Sequence, residues 1–324
     1  MEKTSGKLEQ TTIGGHFSAV LENRCNPLPG KYGYESARAG LYSVLKTVNC
    51  HKVFIPHYIC DAVPSTIKAA GCDVVFYSIN SSFEIDEEIE LAEYDIVLLV
   101  DYFGLCRTQV ENQLALFPKE SVIVDCSQAW FQEPFDCLAT IFSPRKFLPV
   151  PDGGIVNTSL KLDSQESDEA GSLVRYKYLL ERVVAEPEAS RALYLESEAQ
   201  LEVPNLRGMS AFTRKLIEVS DQDFIKSRRN CNWEVLSELG AFNELQFDLS
   251  EQTPLCYPLM IKGAERLRAA LNRERVFTPL YWPGVACKNT HEKAMVNSTI
   301  YLPIDHRYGN ADMVRLLNFF KEHI

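Results

Sequence analysis

Between residues 37 and 158 the apolar positions fall into two alternating patterns. Short runs rich in Val, Ile and Phe are separated by stretches whose apolar residues recur every three to four positions. Brief β-branched runs read as buried strands, and the three-to-four spacing reads as helix. Strands are expected at 52–56, 73–79, 95–103, 121–127, 139–143 and 154–158. Helices are expected over 38–48 and 61–70, the second opening after Asp61 as its cap. Alternation of this kind is the sequence form of a mainly parallel α/β sheet.

At 159–170 the pattern breaks into a stretch rich in Ser, Asp and Glu. Beyond it, charged helices are expected at 173–184 and 189–200, and one or two longer ones over 209–239. A strand at 255–261, a helix at 264–272, β-like runs at 276–280 and 299–302, and a final helix at 311–322 complete the chain. The 324 residues therefore read as a large α/β domain (1–205, with an N-terminal arm 1–34) and a smaller C-terminal α+β domain (206–324). Internal repeats and low-complexity tracts are absent.

An apolar content of 46%, with 17 Phe and 14 Tyr, is enough for a sizeable core. The formal net charge of -11 argues against nucleic acid and anionic membrane as partners, since binders of polyanions present a basic face. A local phosphate pocket stays compatible with that charge, because its field depends on nearby groups. The ten cysteines form no CxxC pair, and Cys72, Cys106 and Cys126 sit in apolar runs, as reduced buried thiols do. Residues 1–10 carry no apolar signal core, and no run of about 18 apolar residues occurs. A cytoplasmic protein is expected.

In open parallel sheets, ligands collect beyond the carboxyl ends of the strands, so polar residues just after apolar runs are the ones to inspect. Three such places line up. Asp125, with Gln128 close behind, ends the run that starts at Ser121. Ser143-Pro144-Arg145-Lys146-Phe147 follows the next run and leads to Pro151-Asp152-Gly153-Gly154. Glu35-Ser36-Ala37-Arg38 opens a helix, where free N–H groups suit a phosphate. An amine, an anion and phosphate donors are the groups a pyridoxal phosphate site requires. Each feature alone is more often a turn residue, a solvated charge or a cap; their order and spacing carry the reading. The glycine fingerprints of nicotinamide and P-loop enzymes are missing. No metal site is expected, because HExxH and paired CxxC are absent and His57 and Cys60 read as core.

On these residues the chain resembles a divergent branch of the DegT/DnrJ/EryC1/StrS family, fold-type I aminotransferase-like proteins that use pyridoxal 5'-phosphate (PLP) on nucleotide-sugar ketones. The resemblance runs from Ile13-Gly-Gly-His-Phe17 through Val53 to Asp61 and Asp101-Tyr-Phe-Gly104 to Tyr301-Leu-Pro-Ile-Asp-His-Arg-Tyr308. Its most specific piece is Ser143 to Gly154. It implies a three-layer α/β/α large domain, with Lys146 as the Schiff-base lysine and proton carrier and Asp125 as partner of the ring nitrogen. Gln128 would lie beside the ring. Ser143, Ser36, Ala37 and Arg38 would hold the phosphate, with Arg145 also in the cofactor site. Burial beside Arg145 and the cofactor would favour the neutral Lys146 that attack on an aldehyde requires.

Two positions depart from the branch. Ala37 stands where Gly is usual, and Cys60 stands where an aromatic residue stacks on the ring, leaving Tyr58 and Tyr102 as candidates for that role. Asp152 is expected to hold its loop. The resemblance further implies a homodimer, glutamate as amino donor and a nucleotide-sugar acceptor in surface polysaccharide synthesis, with Arg107, Arg207 and Arg307 as candidate acceptor contacts. The alternatives are a protein of this fold that binds PLP or a nucleotide-sugar without turnover, and a PLP-dependent dehydratase.

Overall fold

A computed structural model describes residues 24–249 and 252–324; the motif at 13–17 and most of the expected N-terminal arm lie outside the described residues. The first half of the chain runs β1 (Tyr32–Tyr34), α1 (Ala37–Val48), β2 (Lys52–Pro56), α2 (Ala62–Ala70), β3 (Asp73–Tyr77), β4 (Ile96–Val100), α3 (Arg107–Leu114), β5 (Val122–Cys126), β6 (Ala139–Phe142) and β7 (Gly154–Asn157). These strands form one sheet in the order β1-β7-β6-β5-β4-β2-β3. From β3 through β6 neighbouring strands are parallel. β7 runs against both β6 and β1.

The central strand β5 is closed to solvent at Val122, Ile123 and Val124 alike. Successive residues of a strand point to opposite faces, so both faces of the sheet are covered, as a parallel sheet requires. α1 packs on β7, β1 and β6, and α2 packs beside α1 and on β3. The strand directions bring the ends of β5 and β6, the beginning of β7 and the end of β1 to one edge, where the register pairs Phe142 with Ile155 and Tyr34 with Gly154.

The remainder is mostly helical: α4 (Glu169–Arg175), α5 (Lys177–Val184), α6 (Pro187–Ala199), α7 (Ala211–Val219), α8 (Gln222–Leu236), α9 (Ala264–Arg273), α10 (Thr290–Ser298) and α11 (Asn310–His323). A two-stranded antiparallel sheet of β8 (Tyr257–Met260) and β9 (Thr299–Leu302) lies among them. The chain around Arg207 to Met209 runs beside β1, with Glu35 and Met209 N–H groups donating to the carbonyls of Arg207 and Gly33 at 3.0 Å each.

Several expectations shift. The strand foreseen over 95–103 stops at Val100, because Phe103 and Gly104 take φ of 60° and 69° in a turn. Of the one or two helices expected over 209–239 there are two, divided at Ser220 and Asp221, the latter capping α8 through the Phe224 N–H. Asp61 is helical itself and makes no side-chain cap. Residues 276–280 form no strand, since Val276 is held by the carbonyl of Leu271 at the end of α9. β1 is too short to leave a pattern, α3 is too polar, and α10 follows a stretch with no periodic signal.

The joint between β7 and α1 leaves no room for a side chain. Gly153 (φ 114°) donates its N–H to the Glu35 carbonyl at 2.6 Å. A Cβ on Gly154 would stand 2.2 Å from both the Ala37 nitrogen and the Ser36 carbonyl carbon. Those neighbours are backbone and cannot swing aside. Gly154→Ala is expected to destabilise the protein by about 3 kcal/mol, measured by urea unfolding; a loss below ~1 kcal/mol would show that the joint yields.

Candidate active site

At the carboxyl edge of the sheet lies a cavity of about 180 Å³ whose lining includes Ser36, Ala37, Arg38, Asp125, Gln128, Ser143, Arg145 and Lys146. Eight of the ten residues expected around the cofactor thus share one space. Asp125 sits next to last in β5, paired in register with Val100 on one side and Ile141 on the other. Its Oδ1 accepts the Ser127 N–H at 2.8 Å, which leaves Oδ2 for a ligand. Gln128 is buried; its Oε1 accepts the Phe103 N–H at 2.9 Å, while its Nε2 donor has no partner.

Beyond β6, Pro144–Lys146 form a single 3₁₀ turn closed by N–H groups of Phe147 and Leu148 on the Pro144 carbonyl, at 2.9 and 2.8 Å. Proline at the turn's first position presets its φ. The turn sends Arg145 and Lys146 to the cavity. Lys146 makes no hydrogen bond or salt bridge with any described residue. It lines the cavity beside Arg145, with its side chain exposed to solvent. Directly after it, Phe147 is fastened from α8: the Arg229 guanidinium lies 4.6 Å from the ring centroid. Arg229 also donates to the Leu255 carbonyl at 2.8 Å. Burial lowers its pKa to about 10, against the pull of Asp305.

Ser36 caps α1, accepting the Ala39 N–H at 3.1 Å. The N–H groups of a helix's first turn have no acceptor within the helix, so the start of α1 carries partial positive charge. The two arginines add full charges. Arg38 donates to the Leu201 carbonyl and Arg145 is paired with Glu198, both partners belonging to the C-terminal end of α6 or just after it. Each arginine still has a buried Nε donor without a partner. Burial works against the charge on Arg145, but the Glu198 carboxylate and the Tyr178 hydroxyl outweigh it and hold its pKa above the ordinary value.

Asp152 holds its loop as expected. Arg175 of α4 grips Asp152 Oδ2 through Nε and Nη2 at 3.0 and 2.7 Å, and Thr213 bonds to Oδ1. Both charged groups are buried. Asp101, at the end of β4, is fully enclosed; burial pushes its carboxyl up to about 7, with the Cys106 N–H and Arg107 opposing.

Tyr58 and Tyr102 do not line the cavity. Each is buried, Tyr102 donating to the Tyr58 carbonyl at 2.7 Å and Tyr58 hydrogen-bonded to Tyr301. The sequence places Tyr58 just after one expected strand and Tyr102 near the end of another, but the chain beyond β2 and β4 turns their side chains into the core. The residues that do line the cavity, unforeseen from the sequence, include Trp282, Glu198 and Leu201, and Cys60 lines it too. Arg107, Arg207 and Arg307 lie outside its lining. Each has an internal partner: Glu111 at 2.9 Å, Glu35 and Asp168 at 3.7 Å, and Asp305 at 2.7 Å, respectively.

No protein-family model and no curated protein sequence matches the chain. Solved structures do. The aminotransferase PseC of Helicobacter pylori, involved in the biosynthesis of pseudoaminic acid, aligns over 91% of this chain and 88% of its own, at 14% identity and a TM-score of 0.64. Spr1654 of Streptococcus pneumoniae, in its PLP-form, aligns over 90% and 86% at 14% identity and 0.64. A DegT DnrJ EryC1 StrS aminotransferase of Brucella abortus aligns over 90% and 85% at 13% identity and 0.55. The fold implied by the Ser143-to-Gly154 motif is therefore the fold observed.

An anion entering the cavity meets Arg145 already paired to Glu198. Glu198→Gln is expected to tighten binding of inorganic phosphate about fivefold, or roughly 1 kcal/mol, by titration calorimetry; unchanged or weaker binding would show that Glu198 does not compete.

Proposed function

We propose that the protein is a PLP-dependent aminotransferase acting on a nucleotide-linked keto-sugar. The observation that carries this reading is the convergence of Lys146, the free oxygen of Asp125 and a set of unpartnered donors on one cavity. The groups present fit PLP. Ser36, Ser143, the first N–H groups of α1, Arg38 and Arg145 would bind its phosphate, Asp125 would face its ring nitrogen, and Gln128 Nε2 would serve its phenolic oxygen. Arg38, Arg145 and Lys146 also concentrate positive charge within a chain of net charge -11, which favours a dianion locally.

PLP supplies an aldehyde that joins to amines and a ring that takes up the electrons left when a substrate C–H bond breaks. Asp125, anchored at Oδ1 by Ser127, would keep a proton on the ring nitrogen through Oδ2. Lys146 Nζ would take the proton from the amine-bearing carbon of the donor and deliver it to the carbon that was the aldehyde of PLP, acting as general base and then general acid. The exposed position of Lys146 gives it the freedom to swing between those two points. Glutamate is the donor we propose.

On this reading the chain divides into a PLP-holding part, 1–205, and a smaller part, 206–324. The protein would work in the cytoplasm, consistent with ten free cysteines, in the synthesis of surface polysaccharides or related sugars. Among the described residues no helix is long and apolar enough to cross a membrane. We propose a homodimer, supported by an apolar surface on α5 and α6 where Val183 is 80% and Val184 86% exposed, with Leu180 and Leu195 also open. A patch of this kind marks an association surface. Val183→Glu/Val184→Glu is expected to yield a monomer by sedimentation; a wild type that is already monomeric removes the dimer.

Borohydride reduction in the presence of PLP is expected to leave a covalent adduct on Lys146, found by peptide mass analysis, and Lys146→Ala is expected to take none. Loss of 2-oxoglutarate release from glutamate, by about 10³-fold or more, should accompany that substitution. A wild type that gains no adduct overturns the PLP reading.

A further inference from the structure

Among the described residues lining the cavity, Trp282 is the one aromatic side chain. It comes from the segment after α9, far along the chain from the sheet residues opposite it. Its backbone is in the left-handed region, at φ 52°, immediately before Pro283. That conformation is unfavourable for a bulky L residue and persists where packing imposes it. Here the packing is a cluster of rings. Trp282 meets Tyr58 edge-on at 4.7 Å between centroids and lies 5.7 Å from Tyr281 and 6.4 Å from Tyr102. Tyr281 in turn packs on Tyr301 at 4.4 Å.

The buried tyrosines Tyr58 and Tyr102 thus form the wall behind Trp282, while only Trp282 reaches the cavity. Its indole N–H makes no hydrogen bond to a described residue, so no polar contact accounts for its placement. Among the described residues, the rest of the apolar lining, including Ile59, Cys60, Val63, Leu98 and Ile141, offers no flat π-surface.

We infer that Trp282 is the residue that packs against the ring held in this cavity, supplying from the C-terminal segment the aromatic surface that Cys60 does not. The inference rests on the PLP reading. The tyrosine cluster then serves to hold the indole at the cavity wall. The ring's environment also comes to depend on the C-terminal segment, so that part of the chain contributes to the affinity for a flat ligand and not only to shape.

The test compares wild type, Trp282→Phe and Trp282→Leu by PLP titration. Aromatic contacts contribute enough that Leu should weaken binding about fivefold to tenfold, while Phe should stay within about twofold of wild type. A merely space-filling role would treat Leu and Phe alike, and near-ultraviolet circular dichroism identifies a variant that fails to fold. Tryptophan fluorescence gives an independent readout: PLP should quench the emission of wild type more than that of Trp282→Phe, which retains Trp130 and Trp233. Equal binding by Leu and wild type, or equal quenching in wild type and Phe, overturns the inference alone when borohydride still fixes PLP on wild-type Lys146. A wild type that binds no PLP overturns both readings.

Discussion

The site depends on one close approach, that of the first residues of β7 to the first residues of α1. Gly154 lies so near Ser36 and Ala37 that no side chain fits between them, and the Gly153 N–H ties the two segments at the Glu35 carbonyl. The helix start that offers N–H groups to an anion is thereby fixed to the strand that leaves the lysine turn. The Asp152 and Arg175 pair keeps this joint in place. Burying two charges is unfavourable in itself, and the arrangement is tolerated because both carboxylate oxygens and two guanidinium nitrogens are hydrogen-bonded.

The electrostatics follow from that joint. A chain with a surplus of acid gathers three cationic side chains about a small space, two of them with buried Nε donors. Cations so placed require counter-charge. The end of α6 provides it through Glu198 and the Leu201 carbonyl. A bound anion would take over part of that work, so the empty and filled states differ chiefly in who satisfies Arg38 and Arg145.

Much of the sheet was legible because its strands are continuous β-branched runs with sharp polar ends, and the same ends exposed Asp125 and Ser143. Ser36 to Arg38 were legible as a helix opening. Tyr58 and Tyr102 were not, since an aromatic at the end of an apolar run gives no sign of which way the chain there points it. Trp282 and Glu198 lie in segments with no periodic relation to the sheet, and only the tertiary arrangement brings them to the cavity. The exposure of Lys146 was hidden for a related reason: the sequence shows that a lysine follows a strand, not how much protein lies over it.

The contact of Arg229 with Phe147 has a mechanical consequence. The lysine turn is gripped from behind by α8, which also holds the Leu255 carbonyl just before β8. Displacement of α8 against the sheet therefore pulls on the peptide that carries Lys146. A load applied to the C-terminal segment would reach Lys146 through the same lever, linking the position of α8 to where that side chain stands.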